Sequence, residues 1–167
     1  MALKILVMGV TATGKTTLGI ELAQALRGRF VDGDDLHTRG NVRKMARGEP
    51  LTDRDRAPWL DHVGRTLAER RGTTVIACSA LKRAYRDRIR ARTGLVSLVH
   101  LAGDRDMLEQ RLKQRTGHYM PASLLDSQLE TLEPPTADER PIVVSADRPP
   151  RRLVAEVLDR LRGRRPG

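Results

Sequence analysis

Cysteine, aromatic side chains and long apolar runs are all scarce in this sequence of 167 residues. The single cysteine, Cys78, cannot form an intrachain disulfide, so a disulfide scaffold is excluded and a reducing, cytoplasmic location is expected. One Phe, one Trp and two Tyr offer few platforms for stacking nucleobases. No apolar run is long enough to cross a bilayer, and the first apolar stretch contains Lys4 and lacks a small-residue cleavage site. We therefore expect neither a membrane span nor a signal peptide.

The chain is strongly basic, with a formal net charge of +10. Five of its 31 basic residues are lysines and the rest are arginines, and they are scattered along the chain rather than grouped. Scattered charge with few aromatic side chains favours a solvated basic surface, so no specific nucleic-acid partner is expected. A nucleic-acid-binding domain is the alternative, and it would bind DNA or RNA with a steep salt dependence.

Apolar runs of strand length alternate with segments of helical period. Five such runs, of which "LKILVMGV" and "LVSLVHL" are the longest, predict five strands, because continuous apolar runs are typical of parallel strands buried on both faces. Leu18, Leu22 and Leu26 recur at helical spacing after the first run, as in a crossover helix. The sequence therefore predicts one α/β domain over residues 1–167, with a five-stranded, mainly parallel sheet, helices on both faces and two polar excursions.

Short polar residues mark the expected starts of three helices. Thr52 and Asp55 have the spacing of a capping box, and Ser79 and Asp104 each stand before a segment of helical period. We expect the side chains of Thr52, Ser79 and Asp104 to accept a hydrogen bond from the first turn of their helices.

Residues 9–16, "GVTATGKT", match the phosphate-binding pattern G-x-x-x-x-G-K-[ST]. The motif follows an apolar strand and opens an amphipathic helix, where successive backbone N–H groups converge on an anion. Lys15 would supply charge to the β- and γ-phosphates of ATP, and the Thr16 hydroxyl would bind Mg²⁺. The expected nucleotide contacts, largely backbone at the variable positions, are Gly9, Val10, Thr11, Ala12, Thr13, Gly14, Lys15, Thr16 and Thr17. The motif predicts a P-loop NTPase three-layer fold, and the alternative is a glycine-rich turn with an exposed lysine.

Three carboxylates, Asp32, Asp34 and Asp35, follow the second predicted strand. In a doubly wound sheet this turn lies beside the loop of residues 9–17, which we name the phosphate loop. Neighbouring carboxylates repel one another unless they share a cation or a proton, which fits Mg²⁺ binding and general-base work by Asp34 or Asp35. A solvated turn is the alternative. His37 has no second His or Cys at metal-site spacing, so a structural zinc site is not expected.

Several blocks of the sequence together resemble one family. They are "GVTATGKTT", "DGDDLH", "NVRKMARGEPLTDRDRAPWL", "CSALKRAYRDRIR" and "RTGHYMPASLLDSQLETLEPP". From about Leu3 to about Pro135 the chain is similar to the gluconate kinase (gluconokinase) family of small P-loop kinases, whose fold resembles that of shikimate and adenylate kinases. The resemblance implies transfer of phosphate from ATP to the 6-hydroxyl of D-gluconate, a substrate-binding excursion at about 36–70 and a lid at about 116–128. Such kinases are often dimers, so a homodimer is a further expectation of the resemblance.

The resemblance also implies roles for individual residues. Asp34 takes the position of the catalytic base and of a Mg²⁺ ligand beside Thr16, with Lys15 and Arg115 as the other catalytic groups. Arg111 is implied at the nucleotide. The acceptor contacts implied are Asp34, Asp35, His37, Arg56, Lys82, Arg83, Arg86 and, in the lid, His118.

Alternatives remain open at this point. Arg111 and Arg115, four residues apart, could share one target on the nucleotide or form an ordinary helical surface pair. Another small hydroxy acid such as shikimate is the alternative acceptor, because pocket geometry decides selectivity. A GTP-binding regulator is disfavoured, since the chain has no Asn-Lys-x-Asp segment. The loop also has Thr-Ala-Thr where Ser-Gly-Ser is familiar in the family, which requires either an ordinary φ or strain at Ala12.

Overall fold

The computed structural model describes residues 2–115 and 122–164. Its strands are β1 (Lys4–Met8), β2 (Arg29–Asp32), β3 (Thr74–Ala77), β4 (Ser97–Ala102) and β5 (Ile142–Ser145). Its α-helices are α1 (Lys15–Ala25), α2 (Arg39–Ala46), α3 (Asp53–Glu69), α4 (Arg83–Thr93), α5 (Arg105–Gln114), α6 (Ala122–Thr131) and α7 (Pro150–Arg162). Two 3₁₀ turns span Gly33–Leu36 and Ala137–Glu139. Over these described ranges, no helix is both long and apolar enough to span a bilayer.

The five strands form one sheet in the order β2-β3-β1-β4-β5, and each of its pairings is parallel. The central strand β1 pairs with β3 on one side and β4 on the other, so that Ile5 lies beside Val75 and Ser97. Its residues from Ile5 to Met8 are buried, which explains why the strand reads as a continuous apolar run. The predicted α/β fold with a five-stranded sheet is confirmed.

Helices cover both faces of the sheet and divide the core in two. Ile5 and Val7 of β1 pack with residues of α1 and α7, such as Leu22 and Val157. The alternate residues of β1 point to the opposite face, where they meet α3 and α4. The helical stripes that the sequence predicts therefore face the core on both sides.

The sheet order brings three loops together at the carboxyl ends of the strands. The phosphate loop follows β1, the turn containing Asp32 and Asp34 follows β2, and Cys78 and Ser79 follow β3. Because β1 lies between β3 and β4, the strand order reverses beside it, which is where open α/β sheets bind ligands.

Two of the three predicted helix starts are correct. Thr52 and Asp55 form the capping box of α3, and Asp104 accepts a hydrogen bond from the Met107 N–H at 3.0 Å. The cap at Ser79 is wrong, because α4 begins only at Arg83. Ala80 has a φ of 43°, so the chain turns after β3 instead of entering a helix directly.

One helix lies where the sequence shows only a polar segment. Helix α2 begins after Thr38, whose hydroxyl accepts a hydrogen bond from the Asn41 N–H at 3.1 Å. It packs lightly, with Asn41 as its one buried residue, so it lacks the apolar stripe by which sequence analysis finds helices.

Candidate active site

The phosphate loop runs from Gly9 to Thr17, between β1 and α1. Gly9 has no room for a side chain, because an added Cβ would lie 2.6 Å from the carbonyl oxygen of Leu101. Gly14 precedes α1 with a φ of 95°, a left-handed conformation that glycine adopts without strain. Since Gly14 has no side chain to cap α1, the N–H groups of the first turn can face an anion.

Ala12 carries backbone strain at the centre of this loop. Its φ is 67°, in the left-handed region that costs a residue with a Cβ roughly 1–2 kcal/mol. Of the two outcomes that the sequence allows here, the structure has the strained one. Arg111 of α5 donates from Nη1 to the carbonyl oxygens of Ala12 and Thr13, at 3.4 and 3.3 Å, and from Nη2 to that of Ala146. Arg111 therefore stabilises the loop through hydrogen bonds to its carbonyl oxygens.

A cavity of about 310 Å³ lies over the loop. Besides loop residues, it is lined by Asp32 and Asp34 after β2, by Ser79 after β3, by Arg115 and by Gln128 of α6. The structure therefore brings the predicted loop, the candidate base Asp34 and Arg115 to one site. It separates Arg111 from Arg115, because Arg111 lies on the loop carbonyls whereas Arg115 faces the cavity.

Lys15 is the first residue of α1 and lies in the cavity wall. Its Nζ donates a hydrogen bond to the carbonyl oxygen of Val10 at 3.0 Å, which folds the side chain back along the loop. Burial lowers the pKa of Lys15, and the nearby carboxylate of Asp34 partly offsets that effect. A desolvated ammonium group facing a carboxylate is well placed to bind phosphate oxygens.

A hydrogen bond from the backbone to the Asp32 side chain stabilises the acidic turn. Asp32 accepts a hydrogen bond from the Asp34 N–H at 3.0 Å and so caps the 3₁₀ turn. Asp34 lines the cavity and remains partly open to solvent. Burial and then the neighbouring Asp32 raise the pKa of Asp34, while Lys15 opposes the rise. A carboxylate with a raised pKa is a stronger base, as proton abstraction requires. Asp34 and Asp35 are both exposed, and they differ in that Asp35 is not among the residues that line this cavity.

His37 lies beside the acidic turn. Its ring stacks on Trp59, with the ring centroids 4.0 Å apart, and the Trp59 indole N–H donates to the carbonyl oxygen of Gly33 at 2.7 Å. Burial lowers the pKa of His37 and the charge of Arg56 lowers it further, so the imidazole is neutral at pH 7. The stack therefore joins the acidic turn to α3.

Arg56 and Lys82 converge on one tyrosine. Each cation lies over the ring of Tyr85, at 5.5 and 5.6 Å from its centroid. Both cations also face Asp53, at 3.5 Å for Arg56 and 3.6 Å for Lys82, and the Tyr85 hydroxyl donates to the same carboxylate. Burial and the hydrogen bond to Asp53 raise the pKa of Tyr85 to about 12, so the phenol stays neutral. Two cations with one carboxylate leave a net charge of +1, which suits a monoanion.

Arg83 and Arg86, which the family resemblance also implies at the acceptor, pair with other groups of the protein. Arg86 is 1% exposed, and its guanidinium donates five hydrogen bonds: two to Glu139 and one each to the carbonyl oxygens of Ala80, Leu81 and Glu133. Arg83 lies at the surface in ion pairs with Asp87 and Asp138. The structure does not bring Arg83 and Arg86 to the cavity over the loop, and Arg56 and Lys82 are not among the residues that line it either. His118 and residues 116–121 of the predicted lid lie outside the described residues.

Sequence analysis did not single out Gln128, Asp53 or Trp59 as site residues. Asp53 directly follows the predicted cap Thr52, and Trp59 is the chain's one tryptophan, so both had a local signal. Gln128 had none, because a glutamine in a short helix is ordinary. Its role depends on a contact with a residue 117 positions away.

Comparison with known proteins shows the family of this chain. A family model described as an AAA domain (AAA_33) matches residues 5–135, which include the phosphate loop and the acidic turn. The gluconokinase of Gluconobacter oxydans (strain 621H) is 46% identical over 158 residues, covering 92% of this chain and 88% of that protein. The chain belongs to the gluconokinase family.

Solved structures extend the comparison to the fold. A gluconokinase from Sinorhizobium meliloti 1021 is 45% identical, with a TM-score of 0.88 over 97% of this chain and 93% of that one. A shikimate kinase from Bacteroides thetaiotaomicron, 18% identical, covers 97% of this chain and 99% of its own with a TM-score of 0.69, which shows a shared fold. The expected membership of the gluconokinase family and the fold likeness to shikimate kinase are confirmed.

Proposed function

We propose that the protein transfers the γ-phosphoryl group of ATP to the 6-hydroxyl of D-gluconate, giving 6-phospho-D-gluconate and ADP. The observation that carries this proposal is the shared cavity of Lys15, Asp34 and Arg115, in a chain of the gluconokinase family. A cation suited to phosphate and a candidate base that line one cavity support this proposal, because phosphoryl transfer to an alcohol requires both groups at one site.

The loop residues Gly14 to Thr17 bind the phosphates through backbone N–H groups, with Lys15 and Arg115 adding positive charge. Residues around the cavity also fit Mg²⁺, because the Thr16 hydroxyl and the carboxylates of Asp32 and Asp34 are the oxygen ligands that this ion prefers. Bound Mg²⁺ would neutralise charge on the β- and γ-phosphates.

Asp34 accepts the proton of the 6-hydroxyl as its oxygen attacks the γ-phosphorus. The new P–O bond forms while the bond to the β,γ-bridging oxygen breaks, and ADP leaves with that electron pair. The raised pKa of Asp34 favours this proton transfer, and Arg115 stabilises charge on the transferring group.

Arg56 and Lys82 bind the carboxylate of the sugar acid. Their shared position on Tyr85 and Asp53 holds two cations close together, and the excess charge of +1 matches one carboxylate. Arginine also gives a carboxylate two parallel hydrogen bonds. His37, which stacks on Trp59 beside the acidic turn and feels the charge of Arg56, would contact the hydroxyls of the sugar acid.

Two further expectations belong to this proposal. We infer that the protein works in the cytoplasm, where the lone, buried Cys78 stays reduced. A homodimer is expected from the family resemblance alone, and size-exclusion chromatography with light scattering would test it.

A coupled assay of ADP release tests the function against gluconate, shikimate, glycerate and nucleoside monophosphates. We expect the highest kcat/KM with gluconate, and phosphorus NMR should place the phosphate on O6. A higher kcat/KM with shikimate would favour the alternative acceptor and refute the proposal.

The carboxylate site has its own matched test. Arg56→Gln should raise KM for gluconate about tenfold or more, because a charge-assisted hydrogen bond contributes roughly 1.5–3 kcal/mol. Arg54→Gln, an exposed arginine two residues earlier on α3, is the control and should leave KM unchanged. Equal KM values in both variants would place the carboxylate elsewhere.

A further inference from the structure

Helix α6 meets the phosphate loop through a hydrogen bond and a shared apolar cluster. Oε1 of Gln128 accepts a hydrogen bond from the backbone N–H of Thr11 at 2.6 Å. On either side of Thr11, Val10 and Ala12 belong to an apolar cluster that includes the fully buried Leu125. Leu125 and Gln128 are three residues apart and so share a face of α6. This face therefore fits the first half of the loop closely.

The contact lies next to the strained residue of the loop. Ala12 has a φ of 67°, and a residue in such a conformation keeps it only where its surroundings hold it. Gln128 holds the N–H of Thr11 on one side, and Arg111 holds the carbonyl oxygens of Ala12 and Thr13 on the other. Two side chains from different helices thus fix the strained segment from both ends.

Gln128 also lines the cavity that contains Lys15 and Asp34. It is outside the phosphate-binding motif and is far from it in sequence. By holding the loop in one conformation, Gln128 can strengthen nucleotide binding, because a preorganised loop loses less conformational freedom when it binds phosphates.

We propose that Gln128 is a positioning residue for phosphoryl transfer, which holds Thr11 so that the loop keeps its strained, phosphate-binding conformation. Without this hydrogen bond, Ala12 relaxes to an ordinary φ and the N–H groups of the loop no longer converge on one point. The inference rests on the proposed function in one respect, namely that this loop binds ATP.

The first test is the dissociation constant of Mg²⁺–ATP measured by calorimetry without an acceptor. Gln128→Met has a similar size but lacks the carboxamide, and the loss of one hydrogen bond to a backbone amide predicts about tenfold weaker binding. Gln128→Asn keeps a carboxamide but is one methylene too short, and we expect the same loss. Gln110→Met, at an exposed glutamine of α5, is the control and should bind as the wild type does.

The second test uses Ala12→Gly, which removes the strain. If Gln128 acts by holding strained Ala12, then Gln128→Met should cost less than about threefold in the Ala12→Gly background. A structural role in α6 alone would give the same loss in both backgrounds. In steady-state assays, Gln128→Met should lower kcat/KM for ATP and leave KM for gluconate within twofold.

The outcomes separate the inference from the proposed function. No binding of Mg²⁺–ATP by the wild-type protein would refute both. Wild-type binding together with unchanged binding by Gln128→Met and Gln128→Asn would refute the inference alone. Equal losses of Mg²⁺–ATP affinity on Gln128→Met in the wild-type and Ala12→Gly backgrounds would also overturn the inference. Thermal melting of each variant shows that folded protein is compared.

Discussion

Replacing Glu139 by glutamine tests whether Arg86 stabilises the fold or binds the substrate. The Arg86–Glu139 pair is closed to solvent, with both side chains 1% exposed and the Nε–Oε1 distance 2.8 Å. Arg90 also donates to Glu139, at 2.9 Å. Glutamine has the same shape as glutamate but no charge, so the variant leaves the Arg86 guanidinium buried without its counterion.

The loss of unfolding free energy for Glu139→Gln is similar by two separate arguments. Breaking a buried pair by removing one partner costs about 3–5 kcal/mol. Burial alone would raise the pKa of Glu139, but hydrogen bonds from Arg86 and Arg90 outweigh it and lower the pKa from 4.5 to about 2. That change corresponds to about 3 kcal/mol, at 1.36 kcal/mol for each pH unit. For a chain of this size, we expect Glu139→Gln to melt roughly 10 °C lower.

Urea denaturation and thermal melting measure the effect, and Asp138→Asn is the matched control. Asp138 is adjacent in sequence and pairs with Arg83 at the surface, so its replacement should leave the melting temperature nearly unchanged. Because the pKa of Glu139 is lower in the folded state, its contribution is complete above about pH 4.5. The contribution is lost as the pH falls towards 2, so the wild type and Glu139→Gln should converge in acid.

A structural role for Arg86 also predicts that folded Glu139→Gln binds gluconate with unchanged KM. Unchanged stability together with a KM raised tenfold or more would refute the reasoning, and Arg86 would return to the acceptor site.

Three further predictions concern the cavity. Asp34→Asn should lower kcat by about 10²–10⁴. Because Asp34 is also a proposed Mg²⁺ ligand, binding is compared with ATP in the absence of Mg²⁺, where the calorimetric affinity should stay within about threefold. Normal turnover of the variant would move the role of base to Asp35. Because the pKa of Asp34 is raised, the acidic limb of the kcat/KM profile should have its midpoint above pH 3.8, the usual pKa of an aspartate. A pH–rate profile that is flat down to about pH 4 would contradict this. Burial raises the pKa of the Cys78 thiol to about 12, so a thiol reagent at pH 8 should modify the protein only after denaturation, and rapid labelling of the native protein would show an accessible thiolate.

The phosphate loop could be found from sequence because its chemistry is local. Its proposed binding groups are the backbone N–H groups of consecutive residues, and Gly9 and Gly14 mark the two points where the backbone excludes a side chain or takes a positive φ. The parallel sheet was also predictable, because strands buried on both faces read as apolar runs. The cap at Ser79 failed because the turn at Ala80 delays α4, and no residue type signals that turn.

The arginines show the limit of prediction from sequence. Arg56, Arg83 and Arg86 look alike in the chain, and the family resemblance implies all three at the acceptor. The structure separates them by the carboxylates that they meet: Asp53 near Tyr85 for Arg56, exposed Asp138 for Arg83 and buried Glu139 for Arg86.

The sequence by itself determined the fold class, the phosphate loop and the acidic turn, because each depends on neighbouring residues and on hydrophobic period. Only the tertiary structure decided that Arg86 is internal, that Ala12 is strained and that Gln128 holds Thr11. These three results depend on partners brought together by the packing of α4, α5 and α6 against the loop and the sheet. A charge or an amide has no fixed role in a chain until folding sets which group lies opposite it and how much water remains between them.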